Sequence, residues 1–70
     1  MEKFAIRLKE LRNESGLSSK ELGKLVGVSD ASIIRWENNQ STVLAIHIIN
    51  LAKFFDVSAD YLLGLVDGYR

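Results

Sequence analysis

The fold of this chain is decided by the stretch Gly27–Asn39, GVSDASIIRWENN. Ser29 follows a Gly-Val turn and has a side-chain oxygen that accepts from the free amides of a first helical turn, so we predict it as an N-cap. At a period of 3.6 residues, one side of the helix then has the apolar and acidic groups Ile33, Trp36 and Glu37. The other side has small, polar or cationic groups together with one isoleucine: Ala31, Ile34, Arg35 and Asn38. The stretch predicts one short helix, from about Ser29 to Asn38.

The residues just before it predict a second helix, joined to the first by a tight turn. Ser18–Glu21 has the form of a capping box, in which the Glu21 side chain reaches back to the amide of Ser18. The helix that follows ends at Gly27 and has an apolar stripe of Leu22, Leu25 and Val26. Any surface helix can be amphipathic, but two helices around a short glycine turn are typical of a helix-turn-helix, whose second helix lies in the major groove of DNA.

The rest of the chain is also helical in period, and no segment alternates with period 2 for long enough to predict a strand. A first helix ends at Ser15-Gly16 and has a stripe of Phe4, Ile6 or Arg7, Leu8, Leu11 and Arg12. After a polar loop, a fourth helix is predicted from about Val43 to Phe55, with a stripe of Ala45, Ile48, Leu51, Ala52 and Phe55. Ser58 caps a fifth helix that frays at Asp67-Gly68 and has a stripe of Tyr61, Leu62, Leu65 and Val66. We predict an all-α domain.

Length and composition restrict the class of protein. The chain has 70 residues, no cysteine, no proline and a formal net charge of zero. We expect one small domain, 1–70, whose core is barely sufficient, with no room for a second effector domain unless the chain is a fragment of a longer regulator. No apolar run reaches the roughly 18 residues of a membrane span, and the stretch Met1–Arg7 lacks the uninterrupted apolar segment of a signal peptide. We therefore expect a cytoplasmic protein without a membrane partner. Basic residues outnumber acidic ones up to Arg35, the half that contains the helix-turn-helix, and are outnumbered beyond it.

Catalysis and cofactor binding have no support in the sequence. The one histidine, His47, has no acid at helical spacing and no second histidine or cysteine with which to share a metal. No glycine-rich phosphate loop follows a strand. We expect no enzyme activity, no metal, no cofactor and no small-molecule effector.

Many short sequence matches to a known family occur, without gaps, along nearly the whole chain. They are Leu8, Leu11-Arg12, Gly16-Leu17-Ser18, Glu21-Leu22, Gly27-Val28-Ser29, Ile33, Trp36-Glu37-Asn38, Leu51-Ala52, Val57-Ser58 and Asp60-Tyr61-Leu62-Leu63. Together they resemble the Xre family, the Cro and phage-repressor type of helix-turn-helix. The resemblance implies a compact five-helix lambda-repressor-like domain that binds a double-stranded DNA operator, usually as a two-fold dimer, and represses or activates nearby genes.

The resemblance also implies which residues contact bases, since the family reads base edges from the start and outer face of the third helix. Here these positions are Ser29, Asp30, Ala31, Ile34 and Arg35. Arg35 is the best candidate for direct readout, because a guanidinium donates two bonds to guanine O6 and N7. Asp30 either accepts from cytosine N4 or only stabilises the helix N-terminus, and we favour the second. Ala31 and Ile34 suit a thymine methyl, although Ile34 also suits contact with another protein.

The same comparison implies phosphate contacts and one structural ion pair. The phosphate contacts are expected from Ser18, Ser19 and Lys20 at the start of the second helix, and from Asn38 and Gln40 after the third. For Lys20, as for Lys9 and Lys24, a role in solubility is an equal alternative. Arg12 and Glu37 occupy positions that form a partly buried ion pair in the family, and a buried carboxylate without such a partner would be costly.

The chain departs from the family pattern at four places. It has Ser19 where glutamine is usual, Gly23 where alanine is common, Asn39 in place of glycine, and the loop Gln40–Val43 where the family is often basic with proline. Gly23 lowers helix propensity, while asparagine at Asn39 tolerates the left-handed conformation. We expect few phosphate contacts, a shallow salt dependence and modest affinity per monomer.

Excess apolar surface on the last two helices suggests an interface. We expect a homodimer through Ile46, Ile49, Tyr61, Leu65 and Val66, which would place two recognition helices about 34 Å apart. The alternative function is a helical protein-interaction module, antitoxin-like or a recruiter, with weak DNA affinity. The zero net charge, Asp30 and the isoleucines favour that alternative.

Overall fold

Five helices and no strand make up the computed structural model, which describes all residues 1–70. The helices are α1 (Glu2–Glu14), α2 (Ser19–Val26), α3 (Asp30–Glu37), α4 (Ala45–Phe55) and α5 (Ala59–Leu63). The molecule measures 27 × 22 × 20 Å. None of the helices is long and apolar enough to cross a membrane. The predicted all-α, five-helix architecture is confirmed.

One hydrophobic core is shared by all five helices. Its fully buried side chains come from each helix in turn: Phe4 and Leu8 of α1, Leu22 of α2, Ile33 of α3, Leu51 of α4 and Leu62 of α5. Trp36 also lies in this core rather than on the surface. Because each helix is short, its stability depends on this shared burial more than on its own helix propensity.

The second helix is rotated relative to the predicted stripe. Leu25 is 58% exposed, so its assignment to the apolar stripe of α2 is wrong. Gly23 is buried instead, and a Cβ atom added there would lie 2.6 Å from the carbonyl oxygen of Val28. A glycine lowers the helix propensity at position 23, but its missing side chain allows α2 to approach the turn that follows it.

Two helix boundaries also differ from prediction. The fourth helix begins at Ala45 rather than Val43, after Leu44 as N-cap, and Ala45 itself is exposed. The fifth ends at Leu63, because Gly64 adopts the left-handed conformation with φ +86°. The amide of Leu65 then bonds to the carbonyl of Asp60 at 2.8 Å and closes the helix end. Leu65 and Val66 therefore lie beyond α5 and not on its stripe.

The last residues of the chain fold back on α1 through Arg7. Of the two alternatives for the first stripe, Ile6 is exposed and Arg7 faces inward. Arg7 Nη1 donates to the carbonyl oxygens of Tyr61 and Val66, and its guanidinium lies 4.2 Å from the centroid of the Tyr61 ring. Charge-assisted bonds to carbonyls and a cation over an aromatic face each stabilise this arrangement. Arg7 thus connects the first helix to the last.

Replacing Gly64 with alanine should lower the free energy of unfolding by at least about 1–2 kcal/mol, because a side chain in the left-handed conformation meets the following carbonyl. The added Cβ would also lie 2.5 Å from the Cβ of Lys3, so α1 or the turn at Gly64 would have to shift. Urea denaturation followed by circular dichroism measures the change. Gly68→Ala is the matched control, since Gly68 has no positive φ and an added Cβ there meets only open space up to 4.0 Å. An equal loss in both variants would contradict the role given to Gly64.

Candidate nucleic-acid interface

The start of α2 is closed by a reciprocal pair of hydrogen bonds. The Ser18 hydroxyl accepts from the amide of Glu21 at 3.0 Å, and the Glu21 carboxylate accepts from the amide of Ser18 at 2.9 Å. The predicted capping box is present. The bond from the Ser18 amide is the largest cause that lowers the pKa of the Glu21 carboxyl below its ordinary value.

A left-handed glycine turns the chain from α2 into α3. Gly27 has φ +77°, and the amide of Val28 donates to the carbonyl of Gly23 at 2.9 Å. Ser29 then caps α3 by accepting from the amide of Ser32 at 3.1 Å. The two helices pack against each other. This geometry is a helix-turn-helix.

The third helix has one buried and one exposed face. Ile33 and Trp36 are buried, and the side chain of Glu37 is only 6% exposed. The residues predicted to contact bases are all exposed: Ser29 and Asp30 at the start of the helix, and Ala31, Ile34 and Arg35 on the face opposite Ile33. The outer face therefore combines a hydroxyl, a carboxylate, a methyl, a branched apolar group and a guanidinium, which together can match donors, acceptors and methyl groups on base edges.

An ion pair holds α3 to α1. Arg12 donates from Nε to one carboxylate oxygen of Glu37 at 2.6 Å and from Nη2 to the other at 2.9 Å. A third donor, Nη1, bonds to the carbonyl of Leu17 at 2.9 Å. The hydrogen bond to Glu37 raises the pKa of the Arg12 guanidinium above its ordinary value. Because both Glu37 oxygens are paired, the orientation of α3 relative to α1 is restrained by two directional contacts.

The residues predicted to contact phosphates lie at two places in the motif. Ser18 and Lys20 are exposed at the start of α2, whereas Ser19 is half-buried. Asn38 is the C-cap of α3, and Gln40 is exposed just beyond it. Between them Asn39 adopts the left-handed conformation at φ +56°, as an asparagine tolerates.

The apolar residues predicted to form a dimer interface do not all lie on the surface. Ile46, Ile49, Leu65 and Val66 are exposed. Tyr61 is only 8% exposed, so its assignment to an exposed apolar surface is wrong. The Arg7 guanidinium lies over the Tyr61 ring. The rings of Tyr61 and Tyr69 pack edge to face, with their centroids 4.9 Å apart.

Two residues were not assigned a role from the sequence. The Ser32 hydroxyl lies 2.9 Å from that of Ser29 and accepts from Arg35 Nη2 at 3.3 Å. Ser32 is three residues from both Ser29 and Arg35, and this spacing could have predicted both contacts from the sequence. His47 is half-buried and stacks on Trp36, with ring centroids 5.2 Å apart. No three histidine, aspartate or glutamate side chains meet in a group that could hold a metal ion.

The capping box should make stability depend on acid pH. A carboxyl whose folded pKa is lowered stabilises the fold above the unfolded pKa, which is about 4.3, and this contribution is lost as pH falls through the folded pKa. Glu21→Gln retains the hydrogen-bonding shape and removes the titration. The melting temperature of wild type should exceed that of Glu21→Gln at pH 7, and the difference should shrink as pH falls below the unfolded pKa and through the lowered folded pKa. A difference independent of pH would contradict this assignment.

The fold and the site define a helix-turn-helix domain, the class of protein that binds DNA with the second helix of the motif. Residues 8–62 match the model of the helix-turn-helix family HTH_3. The chain belongs to this family, and the resemblance to the Xre and phage-repressor type is confirmed.

Two curated relatives are similar in sequence. The uncharacterized HTH-type transcriptional regulator YobD of Bacillus subtilis (strain 168) is 33% identical over 64 residues, which is 91% of this chain and 57% of the relative. Repressor protein C2 of Salmonella phage P22 is 33% identical over 57 residues, 81% of this chain and 26% of the relative. The chain therefore spans about half of one relative and about a quarter of the other.

Two solved structures have the same fold. The P22 c2 repressor in complex with a synthetic operator superposes with a TM-score of 0.82 at 31% identity, covering 87% of this chain and 92% of that one. The restriction-modification controller protein C.AhdI from Aeromonas hydrophila superposes with a TM-score of 0.80 at 34% identity, again over 87% and 92% of the two chains. The similarity thus extends over nearly the whole length of each of these domains.

Proposed function

We propose that this chain is a sequence-specific, double-stranded DNA-binding transcriptional regulator of the repressor type. The observation that carries the proposal is the outer face of α3, which is exposed while its inner face is fixed by Ile33, Trp36 and the Arg12–Glu37 pair. Support also comes from the similarity to a repressor domain in complex with operator DNA. A rigid helix that presents hydrogen-bonding groups suits the major groove, where each base pair has a distinct pattern of donors and acceptors.

Arg35 is the principal base-reading residue in this proposal. It is exposed, and the only hydrogen bond of its guanidinium is to the Ser32 hydroxyl. The remaining donors suit O6 and N7 of a guanine. Ser29 adds a hydroxyl, and Ala31 and Ile34 add apolar contacts to a thymine methyl. Asp30 lies in the first turn of α3, where its charge stabilises the helix N-terminus.

Phosphate contacts would fix the register of the domain on DNA. We assign them to the amides behind Ser18 and Ser19, to the Lys20 ammonium, and to the side chains of Asn38 and Gln40. Since Lys20 is the one cation in this set, few counterions are released on binding. The affinity should fall only gradually as salt rises.

The functional unit in this proposal is a homodimer in the cytoplasm. Residues 1–70 form one domain of each subunit, and we propose no catalytic role for this domain. The exposed apolar residues Ile46, Ile49, Leu65 and Val66 support self-association, which would place two copies of α3 about 34 Å apart. Sedimentation equilibrium should show a dimer at high micromolar concentration. A monomer under those conditions would contradict the proposed interface.

Selection of bound fragments from a random DNA pool tests the proposal. The expected result is an enriched inverted repeat with a guanine in each half-site and half-sites about 10 base pairs apart. Recovery of unbiased sequence would contradict sequence-specific binding.

A second candidate function is a helical protein-interaction module. The exposed apolar residues on and after α4, together with the zero net charge of the chain, favour it. A salt titration with random duplex separates the two functions. A DNA-binding domain should bind the duplex at low salt and lose affinity as salt rises, whereas a protein-interaction module should bind it only weakly even at low salt.

A further inference from the structure

The hydroxyl of Ser32 lies between two groups of the proposed DNA-reading face. It is 2.9 Å from the Ser29 hydroxyl and 3.3 Å from Nη2 of Arg35. The three residues follow one another at a spacing of three along α3, so they lie on one side of the helix. The hydroxyl thus connects the N-cap of α3 to the arginine in its last turn.

The direction of the contact with Arg35 does not depend on where the hydroxyl hydrogens point. A guanidinium has no acceptor, so Arg35 must donate and Ser32 must accept. One hydroxyl hydrogen is used between Ser29 and Ser32, whichever of them donates. The other hydroxyl hydrogen is not used by that bond. Hydroxyl and guanidinium hydrogens therefore both remain available to acceptors beyond the helix surface.

The contact also determines where the guanidinium lies. Long side chains of a helix lean toward its N-terminus, and Ser32 is one turn nearer that end than Arg35. The guanidinium is therefore held alongside the half of α3 that begins with Ser29 and Asp30. The N-terminal residues of a recognition helix are the ones that meet base edges.

We propose that Ser32 is a positioning residue for base recognition, whose hydroxyl holds Arg35 in the rotamer that meets a guanine edge. This inference rests on the proposed DNA-binding function. An arginine that is already restrained loses less side-chain freedom on binding than one that is free in solvent. Ser32 thereby increases discrimination by Arg35 without itself touching the base.

The Ser32 hydroxyl is not needed for the stability of α3. The N-cap bond of α3 uses the backbone amide of Ser32, which an alanine retains. Alanine is also a better helix former than serine. Ser32→Ala should therefore fold and melt like wild type, and any change in DNA discrimination must come from the lost hydroxyl.

A double-mutant cycle tests the proposal on the sequence selected by wild type. Discrimination is the ratio of affinities for that site and for the same site with the Arg35-dependent guanine pair replaced. Ser32→Ala should reduce this ratio about three- to tenfold, the range expected for one net hydrogen bond, and leave affinity for random duplex unchanged. Ser32→Thr, which keeps a hydroxyl, should retain the wild-type ratio.

In an Arg35→Ala background, Ser32→Ala should have no further effect on the ratio. Ser15→Ala is the matched control for loss of an exposed hydroxyl.

The outcomes separate this inference from the function on which it rests. If Arg35→Ala lowers discrimination and Ser32→Ala does not, the positioning role is wrong and the proposed function stands. If Ser32→Ala lowers discrimination equally in both backgrounds, Ser32 contacts the base itself and the positioning role is again wrong. If wild type shows no discrimination, both proposals are wrong.

Discussion

Replacing Glu37 with alanine should lower the free energy of unfolding by about 3–5 kcal/mol, because Arg12 would remain buried without its partner. The two side chains are 13% and 6% exposed, so water replaces little of the lost interaction. Domains are stable by only about 5–15 kcal/mol in total, so a loss of this size is a large fraction. A thermal melt should shift down by about 12 °C or more for a domain of this size.

Two further variants make the test of the ion pair specific. Glu10→Ala is the matched control, since Glu10 is exposed on α1 and makes no ion pair. It should melt close to wild type. The double variant Arg12→Ala, Glu37→Ala should be more stable than the sum of the single losses predicts, because neither charge is then left unpaired. A melt of Glu37→Ala within a degree or two of wild type would rule out a structural role for the pair.

Replacing Arg35 with alanine should remove about 1–3 kcal/mol of discrimination, the range for one bidentate contact between arginine and guanine. Competition between the selected site and random duplex measures the change. Affinity for random duplex should fall much less, since the variant loses one cation but keeps the proposed phosphate contacts. A large loss of discrimination with a small loss of affinity for random duplex would show that Arg35 recognises a base rather than only attracting DNA.

Arg35→Lys is the control that keeps the charge. A lysine is a point charge and lacks the planar fork that donates two parallel bonds. It should retain affinity for random duplex and still lose most of the discrimination. Lys53→Ala, on α4, should leave discrimination unchanged. Discrimination equal to wild type in Arg35→Lys would show that charge alone is sufficient and would contradict bidentate recognition.

The helix starts and the two faces of α3 could be predicted from the sequence because they depend on local chemistry. Ser18, Ser29 and Ser58 each accept from the amide three residues on, and this needs only the right residue at the right spacing. Ile33 and Trp36 share a face at helical period and are buried together. Short-range rules were sufficient for the helix-turn-helix and therefore for the class of protein.

The differences arose where packing between helices decides the outcome. A helix as short as α2 has few apolar residues to fix its rotation. Leu25, predicted on its apolar stripe, is exposed, and Gly23 is buried where α2 approaches the turn at Val28. Tyr61 is buried by Arg7 of α1, a contact between residues far apart in the chain. Neither of these contacts has a local sequence signal. The end of α5 at Gly64 does have one, a glycine at a helix C-terminus, and the predicted fraying at Asp67-Gly68 overlooked it.

Amide chemical-shift mapping of the labelled protein, titrated with its selected duplex, tests the central claim most directly. The largest shifts should occur at residues 18–20 and 29–40, with the amide of Arg35 among the most affected. The amides of Ile46 and Leu65 should change only if dimerisation accompanies binding. Shifts confined to α4 and the segment after α5, with the outer face of α3 unaffected, would contradict it.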